Sequence, residues 1–234
     1  MQLENQSESE VLDLWEQGVG LDRWRREEAL LAVSGTPPRG LGARNVALLG
    51  LRNAHFHGAW PMRSTCPQCG AEAEFRVDSA ELAAKLASAD PDERQEFDWR
   101  GLTIIARAPT VDDLHIAAKA AHPLKVARAL VALCIEGAGL ADYDDDAIYD
   151  LGDRLEALDP AATLQFNLTC PDCAHAWPAL VDVADAVWRE VRGAAERLLL
   201  EVDALARAYG WTEEQVLALS PTRRAAYLQL AEAQ

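Results

Sequence analysis

Two short stretches hold the residues best suited to chemistry: Thr65-Cys66-Pro67-Gln68-Cys69-Gly70 and Thr169-Cys170-Pro171-Asp172-Cys173-Ala174. Two Cys-x-x-Cys pairs offer four thiolates, the ligand set of a tetrahedral structural zinc site. A tight turn lets both sulfurs of a pair face one ion, and the proline after the first cysteine fixes φ. Gly70 permits the left-handed backbone such turns often need; the second turn has Ala174 there, so that argument covers only the first. After each second cysteine, at the same interval, an aspartate (Asp78, Asp182) opens a helical pattern. The expectation is a small internal repeat in which Cys66, Cys69, Cys170 and Cys173 hold one structural Zn2+ per chain.

Other chemistry fits the pattern less well. A redox pair usually accompanies a thioredoxin-like βαβ pattern, which the flanking sequence lacks. Two disulfides would need an oxidising compartment, and the polar, acidic start Met1-Gln-Leu-Glu-Asn-Gln-Ser-Glu-Ser-Glu does not read as a leader. A catalytic zinc keeps an open position, whereas four sulfurs fill the shell. There is no His-Glu-x-x-His pattern and no general base beside the pairs, so the chain reads as a non-enzyme. His55 and His57 fall near a helix C-terminus, where positive charge is favoured, and read as structural rather than as ligands. Cys134 lies alone on an apolar helical face and reads as an inert buried thiol.

The chain has 234 residues and a formal net charge of −16. Phosphate binding needs clustered Lys and Arg, so the charge argues against a nucleic-acid partner. No run of about eighteen apolar residues suggests a membrane span. A cytoplasmic protein that meets other proteins is expected, associated at most with an assembled particle.

The elements that must position the cysteines read as follows. Residues 1–8 are expected to be unstructured, before a short helix from Ser9 to Trp15 and a second from Asp22 to Val33. The Arg23, Arg25 and Arg26 cluster of that second helix reads as a solvated face. A loop through Pro37 and Pro38 leads to a helix over Ala43–Phe56. Trp60–Thr65 enters the first cysteine turn and Phe75–Val77 leaves it as a strand, before a helix capped by Asp78 or Ser79 and running to about Ser88. Phe97–Trp99 and Leu102–Ala106 form a hairpin about Arg100-Gly101. Thr110 caps a helix to about Ala121, and another follows His122-Pro123. The acidic cluster 142–146 lacks the ordered ligands of a calcium loop and reads as a helix start. Leu164–Thr169 alternates into the second turn, Trp177–Val181 returns, and one apolar stripe runs from about Asp182 to Tyr209. Thr212 with Gln215, and Ser220-Pro221, start two short helices.

The fold class expected is α+β: mostly helical, with a small zinc-centred β-hairpin element and a long C-terminal helix followed by two short ones. Three segments are expected: an N-terminal helical part at 1–40, a zinc-centred α+β domain with a helical insertion at 41–182, and a helical subdomain at 183–234.

In order along the chain, a set of motifs resembles the baseplate hub assembly proteins, or chaperones, of T-even-type phages and related contractile injection systems. The set comprises Gly42-Ala-Arg-Asn-Val-Ala-Leu-Leu-Gly-Leu-Arg, both cysteine turns, Arg107-Ala-Pro-Thr before a helix, and Val187-Trp188-Arg189-Glu190. It ends with Ala206-Arg-Ala-Tyr-Gly-Trp-Thr-Glu-Glu-Gln-Val-Leu-Ala-Leu-Ser-Pro-x-Arg-Arg. The resemblance covers most of the chain from about residue 40. It implies a non-enzymatic helper whose partners are hub or spike proteins of a contractile tail, or else a permanent baseplate subunit. A zinc-ribbon interaction module of other function is the remaining alternative.

Overall fold

A computed structural model describes residues 2–136 and 143–233, with side chains from Glu8 onward. The fold is mixed helix and strand and mostly helical. Its helices are α1 (Gln2–Gly18), α2 (Arg23–Ala32), α3 (Leu41–His55), α4 (Ser79–Lys85), α5 (Val111–Ala117), α6 (Pro123–Cys134), α7 (Asp145–Leu158), α8 (Val183–Tyr209), α9 (Glu213–Leu217) and α10 (Pro221–Glu232). Its strands are β1 (Trp60–Thr65), β2 (Glu72–Val77), β3 (Gln95–Trp99), β4 (Leu102–Ala106), β5 (Ile135–Glu136), β6 (Leu164–Thr169) and β7 (Ala176–Val181). Among the described residues no helix is long and apolar enough to cross a membrane.

Packing groups the chain into two units. One joins the residues up to Gly35 with Leu51–His57 and those from Ala184 onward; the other comprises Thr36–Gly50 and Gly58–Val183. The N-terminal and C-terminal helices thus share the first unit.

In the first unit, Leu12 of α1 packs with Ala195 and Leu198 of α8, and Leu217 of α9 lies against them. Helix α1 begins at Gln2, where an unstructured start is expected; Met1 lies outside the described residues. Its early turns have a tertiary anchor: Glu8 makes a two-pronged ion pair, at 2.8 and 2.6 Å, with the buried Arg224 of α10. A second buried guanidinium, Arg52, pairs in the same way with Glu190, at 3.0 Å for each bond. Arg26 corrects the expectation of a solvated arginine cluster. It lies over the Trp188 ring, 5.1 Å from its centroid, and 3.8 Å from Asp185. Gly18 leaves room for that tryptophan, since a Cβ there would sit 2.4 Å from the Trp188 ring.

The second unit holds three small antiparallel sheets: β1-β2, β3-β4-β5 and β6-β7. Trp99 and Ile104 of the β3-β4 hairpin pack with Val131 and Cys134 of α6 and with Ile148, Leu151 and Leu155 of α7. The two-residue strand β5 has no counterpart in the sequence reading; two residues are too few for any periodicity to register. Helices α4 and α5 end at Lys85 and Ala117, short of the expected Ser88 and Ala121. His122 precedes a proline, which disfavours helical backbone, and it instead caps α6 by accepting from the Leu124 N–H at 3.3 Å. At the acidic cluster 142–146, Asp142 lies outside the described residues; Asp144 caps α7, accepting from the Ala147 N–H at 2.8 Å.

Helix α3 receives a long-range cap. The buried carboxylate of Asp159 accepts from the Gly42 N–H at 2.8 Å and from the Ala89 N–H at 3.1 Å. It satisfies an N-terminal donor that has no partner within the helix, and its charge suits that end of the dipole. Asn45 donates from the next turn to the Ala161 and Ala162 carbonyls, at 2.8 and 3.0 Å.

Candidate metal centre

The two cysteine turns are the tips of matching hairpins. In β1-β2, Trp60 faces Val77 and Thr65 faces Glu72; in β6-β7, Leu164 faces Val181 and Thr169 faces Ala176. The turn hydrogen bonds match as well. Cys66 N–H donates to the Ala71 carbonyl at 2.8 Å and Gly70 N–H to the Cys66 carbonyl at 3.0 Å. Cys170 N–H donates to the His175 carbonyl, and Ala174 N–H to that of Cys170, at the same two distances. Gly70 takes φ of 78°, and Ala174 takes φ of 58° although it is not glycine. The left-handed residue is thus common to both turns, and the reading that limits it to the first is corrected.

The hairpins bring all four sulfurs together. Cys66 Sγ lies 3.7 Å from Cys173 Sγ, and Cys69 Sγ lies 3.5 Å from Cys170 Sγ. All four atoms lie within 4.8 Å of one another. A tetrahedral ion with bonds of about 2.3 Å would hold its sulfurs roughly 3.8 Å apart. The cluster therefore has the size to hold a four-coordinate metal ion. The cysteines are free thiols; Cys66 and Cys170 are buried, Cys173 is half-buried and Cys69 is exposed.

Crowding sets the acidity of the metal-free thiols. Backbone N–H groups, Cys173 first and then Asp172, draw the Cys170 thiol down to about 7 against the cost of burial. Cys69 receives the Ala71 N–H, which favours its thiolate, but the thiols of Cys173 and Cys170 push it up to about 12. Four sulfurs this close cannot all ionise without a cation among them, so metal binding here releases protons.

Beneath the sulfurs, Ala73, Trp177 and Ala179 pack with Cys66 and Cys170 into a small apolar core. A hydrogen bond and a ring pair also cross between the hairpins. Trp177 Nε1 donates to Ser64 Oγ at 3.3 Å, and the Phe75 and Phe166 rings lie 5.4 Å apart. Sequence reasoning missed the Ser64–Trp177 bond, which depends on a pairing between distant segments. The repeat itself carried a signal for Ala174: equal turns imply equal backbone.

No protein-family model, curated protein or solved structure matches the chain. The site residues therefore rest on sequence pattern and geometry. Neither expected bystander histidine belongs to the cluster, which among the described residues contains only the four cysteines. His55 sits in the first unit with Nδ1 3.5 Å from Glu10, and His57 is exposed there. His175, next to the second turn, stacks on Trp177 with ring centroids 6.3 Å apart. Cys134 is buried in the α6 core, and burial, then the nearby Asp113 carboxylate, push its thiol up to about 12. That is the inert thiol expected.

Proposed function

We propose that the chain is a zinc-stabilised, non-enzymatic assembly factor for the hub or spike of a contractile-tail baseplate. The single observation that carries the non-enzymatic part is the closed ligand set. Four cysteine sulfurs from two hairpins gather at one point; an ion bound by all four in the usual tetrahedron would have no position left for water or substrate. Such an ion ties β1-β2 to β6-β7 and stabilises the fold, and the residues of the site act by holding it.

Zinc is the ion this set suits best. A tetrahedral four-sulfur site takes zinc or iron. Zinc needs no redox partner and is the usual occupant of paired Cys-x-x-Cys turns with a structural role. Metal analysis of the purified protein tests this directly. About one zinc per chain in a colourless sample is expected; a coloured, iron-containing protein would overturn it.

The tail-assembly reading draws its support from the ordered motifs, from Gly42-Ala-Arg-Asn through Ala206-Arg-Ala-Tyr-Gly-Trp, and its test is partner capture. Tagged protein would be recovered from cells expressing the neighbouring tail genes, and finished particles assayed for the bait. Hub or spike subunits in the eluate, with no bait in particles, support an assembly factor that leaves. Bait retained in particles makes it a permanent baseplate subunit instead. Recovery of no tail protein removes the reading.

A further inference from the structure

The cysteine cluster is complete in number but uneven in access. Cys66 and Cys170, the first cysteine of each turn, are only 1% and 2% exposed and pack with Ala73, Trp177 and Ala179. Cys69, the second cysteine of its turn, is exposed, and Cys173 is half-buried. Metal ligation keeps cysteine sulfur in the thiolate form, the form that attacks peroxides. Susceptibility to oxidation follows thiolate character and exposure. An oxidant arriving from solvent therefore meets Cys69 before the other three. Cys134 takes no part, since it is buried in the separate α6–α7 core.

What the attacked sulfur meets next is set by the fold. Cys170 Sγ lies 3.5 Å from Cys69 Sγ, on the other hairpin, and the matching contact between Cys66 and Cys173, at 3.7 Å, also crosses. The hairpins do not depend on an ion alone to meet. Trp177 bonds to Ser64, the Phe75 and Phe166 rings face each other, and a small apolar core lies beneath. The crossing sulfurs thus stay opposed when a ligand is lost. A disulfide within one turn would leave the hairpins untied. A crossing disulfide ties the same segments as the ion, between residues 101 positions apart, and long loops are those whose closure constrains the unfolded chain most.

The geometry points to the cluster as an oxidation site for peroxides, with Cys69 as the attacked sulfur, Cys170 as the sulfur that resolves it, and a disulfide across the hairpins taking the place of the ion. This inference rests on the reading of the four cysteines as one metal site and concerns how that site is regulated. In the first step the Cys69 thiolate attacks hydrogen peroxide. An S–O bond forms, the O–O bond breaks, the sulfur gives up two electrons and hydroxide leaves. In the second, the Cys170 thiolate attacks the sulfenic sulfur; an S–S bond forms, the S–O bond breaks and a second hydroxide leaves. Two thiolates and one peroxide thus give one disulfide and two hydroxides. Cys66 and Cys173 repeat the sequence with a second peroxide, and no thiolate remains to hold the ion.

The test titrates the purified full chain with hydrogen peroxide. Released metal is read with a colorimetric zinc chelator, and disulfides are mapped by mass spectrometry after the remaining thiols are alkylated. Release should be complete at about two peroxides per chain and be reversed by dithiothreitol with added zinc. With less than one peroxide per chain, the Cys69–Cys170 disulfide should exceed either disulfide within a turn about tenfold. A disulfide within one turn formed first, oxidation of Cys69 beyond the sulfenic level without a disulfide, oxidation of Cys134 ahead of the cluster, or metal retained in a large excess of peroxide would each overturn the proposal. A protein isolated without metal would defeat the zinc reading alone. The same mapping, run on its reduced thiols, then decides the pairing: Cys69–Cys170 first supports it, and any other first disulfide overturns it.

Discussion

Left-handed backbone costs an L-residue about 1–2 kcal/mol, because its Cβ approaches the following carbonyl oxygen. Ala174 bears that strain at the second cysteine turn, where Gly70 avoids it at the first. Ala174→Gly removes the strain but adds unfolded-chain entropy worth about 0.4–1 kcal/mol. A net gain of up to about 1.6 kcal/mol is expected, read as a higher urea midpoint of the metal-loaded protein; Gly70→Ala should shift the midpoint the other way. The cysteines themselves make a sharper pair. Cys66 and Cys170 hold equivalent places in the two turns, so Cys66→Ser and Cys170→Ser should each lose the ion and destabilise the protein to a similar degree. A metal assay and a thermal melt of both variants check this, and a large difference between them would contradict a shared site. Gly42 has a different constraint. A Cβ there would lie 2.1 Å from Asp159 Oδ1, on the same carboxylate whose Oδ2 caps α3. Gly42→Ala should cost about 3 kcal/mol, the upper end of overpacking costs. Asp159→Ala combined with Gly42→Ala should cost less than the sum of the single changes in the same urea experiment.

At the scale of elements, the α5 cap predicts an acid sensitivity. Thr110 and Asp113 form a capping box, and Asp113 also takes a two-pronged bond from Arg107 at 2.6 and 2.8 Å. Burial alone would raise the Asp113 carboxyl, but the Arg107 guanidinium and then the Thr110 hydroxyl and N–H outweigh it and hold it down to about 2, from an ordinary 3.8. A depressed carboxyl stabilises the fold above its unfolded value and loses that contribution as pH falls from about 3.8 through about 2. Arg107→Met should therefore move the acid-unfolding midpoint to higher pH, as followed by circular dichroism. Elements of this kind were largely legible in the sequence. Thr110, Thr212 with Gln215, and Ser220-Pro221 cap the helices they were expected to cap, because capping is a bond across three residues. The alternation of Leu164, Phe166 and Leu168 likewise marked β6. What local pattern could not show was any element completed from a distance: the Asp159 cap on α3, the Glu8 anchor of α1 and the two-residue β5.

At the scale of the molecule, the four-cysteine cluster was legible because ligand type and spacing carry it; its closure depends on how two distant hairpins meet. The grouping of the chain was not legible, since Arg52 with Glu190 and Arg224 with Glu8 join segments far apart in sequence and no periodicity announces such partners. Both cysteine turns fall in one of the two units, which makes the effect of chelation specific. Scanning calorimetry with a strong chelator should lower the transition of the unit that holds the cysteines and leave that of the helical unit nearly in place. A single transition that shifts as a whole would show that the two melt together.

The matching hairpins also guard against the wrong match. In equivalent positions Ser64 corresponds to Leu168, Ala73 to Trp177, Met62 to Phe166 and Phe75 to Ala179. Where Trp177 meets Ser64, bulk meets a small partner. Two copies of the first hairpin would set Ala73 against Ser64 and leave a hole beneath the sulfurs; two copies of the second would force Trp177 against Leu168 and overfill the same layer. An ion bridging like turns of two separate chains would find the identical four sulfurs and a misfitting floor. The unequal side chains thus favour the union of a first hairpin with a second one over the union of either with its own kind.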